Sequence, residues 1–206
     1  MSVALIAIRQ LVRDRIGVPP HDEFFTDTVL DSNINMALTV IESEHRWPWN
    51  ERIQELILDP TAKFTVPDDW RATRSITTQY NDLIEMTFYD MRTRFPGNQA
   101  AEPTHYALMN REIWVRAIPQ GNIEAMHQYY ASPILLSADT DQPSLPTEHI
   151  NTLVAKTAQL CSVREDDRPS ADSHLAEYLQ GIERMRKDVR GTTRPQPPRV
   201  RPGGWL

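Results

Sequence analysis

Glu42 and His45 stand three residues apart in a run that reads as helix, a spacing that puts a carboxylate and an imidazole on one side of the rod. That is the ligand pair of the di-iron helical bundles. The same spacing recurs at Glu102 and His105 and at Glu124 and His127. Both copies lie in or beside extended segments, where residues three apart point to opposite faces. A carboxylate bundle also needs its second pair on another helix, and no such helix shows in the pattern. His45 is therefore expected to close a buried stripe, its ring bonded to a neighbouring carboxylate or carbonyl. Nucleophilic chemistry has as little to work with. There is no GxSxG run, the seven glycines form no phosphate-cradling loop, and the single cysteine, Cys161, falls on an apolar helix face as a buried thiol would. No catalytic, cofactor-binding or metal-ligating residue is assigned.

The other chemistry in the chain is charge. Of 22 basic residues, four arginines fall at or after Arg190, where no acid occurs, so the net charge of -6 splits into a body of -10 and a tail of +4. The end of the chain, TTRPQPPRVRPGGWL, has too few apolar residues for a core and too many prolines and glycines for a helix. Such termini are ordinarily just solvated chain. A terminal tryptophan changes the expectation, because a tail that orders on a partner uses an aromatic as its anchor, with arginines meeting acids around it. Arg194, Arg199, Arg201, Trp205 and Leu206 are the expected partner-binding residues. Contact with nucleic acid ranks below both readings, since an acidic body repels phosphate.

Stepping outward from these groups, 206 residues suffice for one domain with an appendage. No apolar run approaches the ~18 residues that span a bilayer, the first residues lack the basic region of a signal peptide, and a lone cysteine suits a reducing compartment. The chain is expected to be made in, and stay in, the cytoplasm. Helical spacing of apolar residues predicts helices over 3–16, 31–47, 146–162 and 171–190, and alternation predicts an inserted β section over 50–133. In the first helix Arg9, Arg13, Asp14 and Arg15 are expected to face solvent. The second begins at Asp31 as N-cap and ends before Pro48. Ile34, Ala37, Leu38, Ile41 and His45 share one face of it, with Met36 and Val40 forming a second row, so it reads as a central post buried on two sides. It delivers Trp47 and Trp49 around a rigid proline, and the VPDDWR turn places Trp70. Ile34, Leu38, Ile41, Trp47, Trp49 and Trp70 are the expected organisers of the fold. Within the β section, Asn110-Arg111 makes a tight turn and the last three strands read as an antiparallel meander. Ser170 or Asp172 should cap the last helix and Gly191 should end it. The fold class is α+β: a helical bundle formed by both chain ends, an inserted antiparallel β section, and an extended tail over 191–206.

HRWPW at a helix end, then VPDDWRATRSI, RFPG, PTHYALMNREIWVRAIP, QYYASPILLSADTDQPSLPTEHINTLV and EYLQGIERMRKDVR follow in an order and spacing that resembles the head-to-tail adaptor proteins of tailed bacteriophages, over most of 1–190. The resemblance implies a wedge-shaped, non-enzymatic virion subunit in the neck between capsid and tail. It implies a homo-oligomeric, dodecameric ring under the portal protein, with a tail-side neck protein below and double-stranded DNA passing through without specific binding. It implies no cofactor and no membrane contact. Three properties of the residues suit that role: a helix apolar on two sides, an acidic body, and an anchor-tipped tail for the portal or an adjacent subunit, where a strand could add to a sheet edge. The competing readings are another neck or tail-completion protein of a phage, and a small helical metal-binding enzyme centred on Glu42 and His45.

Overall fold

The computed structural model describes residues 3–97 and 100–192. The chain is α+β and divides into two compact units, one built from the segments up to His45 and from Ile134 onward, the other from Arg46–Pro133.

The helical unit contains α1 (Leu5–Ile16), α2 (Asp27–Glu44), α4 (Ile150–Arg164) and α5 (Arg168–Thr192); α3 (Phe88–Arg94) belongs to the other unit. Its core is built from apolar rows at helical spacing: Leu5, Ile8 and Val12; Leu30, Ile34, Ala37, Leu38 and Ile41; Leu153, Val154 and Ala158; Tyr178, Ile182 and Met185, whereas Leu11 and Leu179, which the same spacing predicts to be buried, are exposed. Each fully buried aliphatic side chain contributes about 1.5–3 kcal/mol. The post, however, is α4. It packs against α1, α2 and α5, whereas α1 and α2 meet only lightly. Small residues make this possible: Ala155, Thr157, Ala158, Cys161 and Ser162 are all buried and let three neighbours approach one rod. On α2 the second apolar row is not covered, since Met36 is exposed and Val40 only half-buried. The helix is buried on one side.

Helix ends account for most differences of boundary. α2 starts four residues before Asp31, because the Thr26 hydroxyl accepts a hydrogen bond from the Val29 amide (3.4 Å) and so caps the first turn. α1 ends at Gly17 in the left-handed conformation, with φ 73°, as its glycine predicts. α5 is capped by neither Ser170 nor Asp172: the Asp167 carboxylate accepts from the Ser170 amide at 3.3 Å. At its other end the helix runs through Gly191 to Thr192. A glycine costs a helix only about 1 kcal/mol, so it stops a rod only when the chain beyond has somewhere else to go.

Two arginines expected at the surface of α1 are buried, each about 6% exposed. Arg9 lays its guanidinium across Asp31 in a bidentate pair (2.5 and 2.8 Å) and reaches Asp139 at 2.6 Å. Arg13 donates to Asp27 at 2.6 Å. The Arg13 guanidinium holds the Asp27 carboxyl below the usual carboxylate range. Asp31, freed from capping, serves to neutralise a buried cation.

The β unit holds two sheets and a short helix. β1 (Glu51–Leu58), β7 (Ile123–Ala131) and β3 (Trp70–Thr78) form one antiparallel sheet in the order β1-β7-β3. β2 (Lys63–Thr65), β6 (Glu112–Arg116), β5 (His105–Met109) and β4 (Ile84–Glu85) form the other in the order β2-β6-β5-β4, its β4–β5 pair being parallel. The β5–β6 hairpin turns on Asn110-Arg111, both at positive φ (54° and 61°) as a type I′ turn requires. The expected meander stops there: β7 leaves for the first sheet and inserts between β1 and β3. Leu56, Leu58, Ile76 and Ala125 from one sheet and Tyr106, Ile113 and Val115 from the other fill a shared core closed by Ala62, Val66 and Leu83. α3 (Phe88–Arg94) packs on β5, with Phe88 edge-on to Trp114 at 5.1 Å. No helix among the described residues is long and apolar enough to cross a membrane.

Candidate functional site

The three Glu–His pairs come apart in different ways. Glu42 is completely buried and accepts a hydrogen bond from the Ser144 hydroxyl at 3.2 Å, while His45 ends α2 in extended conformation and is exposed rather than closing the buried stripe. Glu102 is exposed, and His105 is held by the Thr104 hydroxyl at 2.8 Å and the Phe95 ring at 5.1 Å. Glu124 and His127 occupy opposite faces of β7, the carboxylate in solvent and the imidazole in the interior. Among the described residues no group of three His, Cys, Asp or Glu side chains is placed to hold a metal ion. Cys161 is buried; its sulfur accepts from the Asn33 amide at 3.3 Å, and burial pushes the thiol pKa up, away from the nucleophilic thiolate.

Of the histidines in those pairs, His127 is fully buried, with both ring nitrogens near side-chain oxygens. Its Nε2 lies 3.0 Å from the Thr73 hydroxyl and its Nδ1 3.4 Å from Gln54 Oε1. Trp70 Nε1 donates to the same Thr73 oxygen at 3.1 Å. A tryptophan can only donate and an amide oxygen only accept, which fixes the direction of the chain: Trp70 to Thr73, the Thr73 proton to Nε2, and the Nδ1 proton to Gln54. This satisfies every atom with a neutral ring, and burial lowers the His127 pKa to about 4. Trp70, Thr73, Gln54 and His127 thereby cross-link all three strands of the sheet at its inner face. Periodicity could not have found this, because a histidine in a strand carries no sign of which partners the neighbouring strands bring.

The residues expected to organise the fold are placed as follows. Ile34, Leu38 and Ile41 are fully buried in the helical unit. Trp47 is fully buried and stacks on Trp49 at 4.9 Å and 8°, across a short 3-10 turn at Pro48–Asn50. The tail residues Arg194, Arg199, Arg201, Trp205 and Leu206 lie outside the described residues.

What the described residues do gather is surface. The outer face of the three-stranded sheet exposes Ile53, Ile57 and Met126, and the helical unit exposes Met36, Ile134 and Leu135. Both units thus present uncovered apolar side chains, the kind of surface that protein contacts use. The model of the SU10 adaptor protein family matches residues 4–202, nearly the whole chain and both units, and the chain belongs to that family of phage adaptor proteins. Among curated proteins none matches it.

Proposed function

We propose that this phage adaptor acts as the head-to-tail adaptor of the virion: a ring of copies of this chain below the portal protein, joining the DNA-filled capsid to a tail-side neck protein and letting double-stranded DNA pass. The family match over residues 4–202 carries this reading. The role is structural and needs no cofactor. Uncovered apolar side chains on both units, Met36 and Leu135 on one and Ile53 and Ile57 on the other, supply what subunit and portal contacts require. The acidic body, with 28 carboxylates against 18 basic residues before Arg190, suits a lumen through which phosphate slides without being held. The tail, with Arg194, Arg199, Arg201, Trp205 and Leu206, serves as the anchor onto the portal or a neighbouring subunit.

Deleting Arg194 to Leu206 tests the anchor. The shortened protein should keep its helical circular dichroism and its solubility yet fail to join heads to tails in an in vitro complementation assay; normal joining would remove the tail from the account.

A further inference from the structure

The outer face of the three-stranded sheet is patterned. Along β1 it presents Ile53, Glu55 and Ile57, opposite Gln128, Met126 and Glu124 on β7. Ile53 is 65% exposed, Ile57 63% and Met126 46%, an apolar set that a folded sheet does not leave uncovered without reason. The Glu55 and Glu124 carboxylates sit among them with no hydrogen bond or ion pair from the described residues. At the far end Glu51 is already taken by Arg74 and by the Tyr130 hydroxyl at 3.2 Å. A shallow depression runs over Glu55, Ile57, Glu124 and Met126 to Thr77 and Gln79. The face therefore asks for an occupant that is basic, partly apolar and thin.

Residues 193–206 have that chemistry: three arginines, four prolines, Val200, Trp205 and Leu206, and no acid. The prolines lack the amide donors that a strand added to the sheet edge would need, so the segment fits across a face better than along an edge. The spacing also agrees. Were the segment extended, Arg199 and Arg201, two apart in sequence, would project to one side roughly 6–7 Å from each other. Glu55 and Glu124 are diagonal neighbours across β1 and β7, a separation of about 7–8 Å. The arginine stems can lie along Ile53, Ile57 and Met126 while their heads meet the two carboxylates.

We propose that the C-terminal segment of one copy docks on the outer β1-β7-β3 face of a second copy, with Arg199 and Arg201 paired to Glu55 and Glu124. This deepens the adaptor reading and rests on its ring, by naming where the anchor lands. The test uses the full chain with Val200 replaced by benzoylphenylalanine, as an equal mixture of isotope-labelled and unlabelled copies, with native mass spectrometry of the same sample reporting the assembly. Photolysis should give cross-links between labelled and unlabelled copies at 53–57 or 124–128. Glu55→Arg with Glu124→Arg should lower their yield at least tenfold, and adding Arg199→Glu with Arg201→Glu should restore it, which a merely misfolded sheet would not do. Cross-links that map elsewhere, join only residues of one copy, ignore the charge reversal or fail to form would overturn the proposal. A closed ring on the mass spectrum with cross-links elsewhere sinks the docking site alone. Docking cross-links in an assembly that is not a closed ring would sink the ring instead.

Discussion

His127 shows how a single side chain ties a sheet to pH. The fold holds the ring neutral, its pKa lowered by burial from the ordinary 6.5 to about 4. Between those values the unfolded chain binds a proton that the folded chain refuses. Stability from this group is thus intact above pH 6.5 and is lost as pH falls towards 4, by roughly 3 kcal/mol in all. Urea midpoints should drop from pH 7.5 to pH 5, and His127→Gln should flatten that slope; equal slopes in the two proteins would assign the effect to other groups. Arg9 makes a prediction of the opposite kind. It is buried against Asp31 and Asp139, so Arg9→Met leaves a partly buried carboxylate without its partner and should cost about 2–4 kcal/mol in chemical denaturation. A surface arginine, which α1 spacing alone would make of Arg9, would cost less than 1 kcal/mol.

Among the elements, the contact between α4 and α5 is the most extensive in the helical unit. A Cβ on Gly181 would lie 2.4 Å from the Thr152 hydroxyl oxygen and 2.7 Å from its methyl carbon, so the glycine sets how near the two helices come. Gly181→Ala should destabilise by about 1–3 kcal/mol despite the better helix propensity of alanine. Adding Thr152→Ala should recover part of the loss, and strictly additive effects would mean the two residues do not share the space. This contact also marks where sequence stops being informative. Apolar rows at three and four predicted where α1, α2, α4 and α5 lie, and extended patterning predicted a β section over 50–133, including β2 as well as β1, β3, β5, β6 and β7, because each element must bury one face whatever it packs against. Which helix sits centrally was not legible, since α2 has the more apolar sequence while α4 wins on small buried residues such as Ala155 and Ala158. Strand order was equally hidden. The Asn110-Arg111 turn is local chemistry and could be read, but the insertion of β7 between β1 and β3 is set by pairings between residues far apart in the chain, from Thr78 with Ala125 to Glu51 with Tyr130. Buried Arg9 looked like surface for the same reason: its partners Asp31 and Asp139 come from distant segments.

For the whole molecule, the charge distribution makes a claim about DNA. A body this acidic should show no measurable affinity for duplex DNA at about 0.15 M salt, read by fluorescence anisotropy, because like-charged surfaces repel once they come within the ~8 Å screening length. Submicromolar binding that weakens steeply with salt would mean that the chain grips DNA rather than letting it pass. A subunit that joins head to tail must occupy the neck of the particle. Electron cryomicroscopy of the intact virion, with density assigned to this chain, measures that directly. The expected result is a closed ring of copies of this chain between the portal and the tail-side neck protein, with the β1-β7-β3 face of each copy covered. Density for the chain anywhere else in the particle, or a neck built without it, would rule out the head-to-tail role.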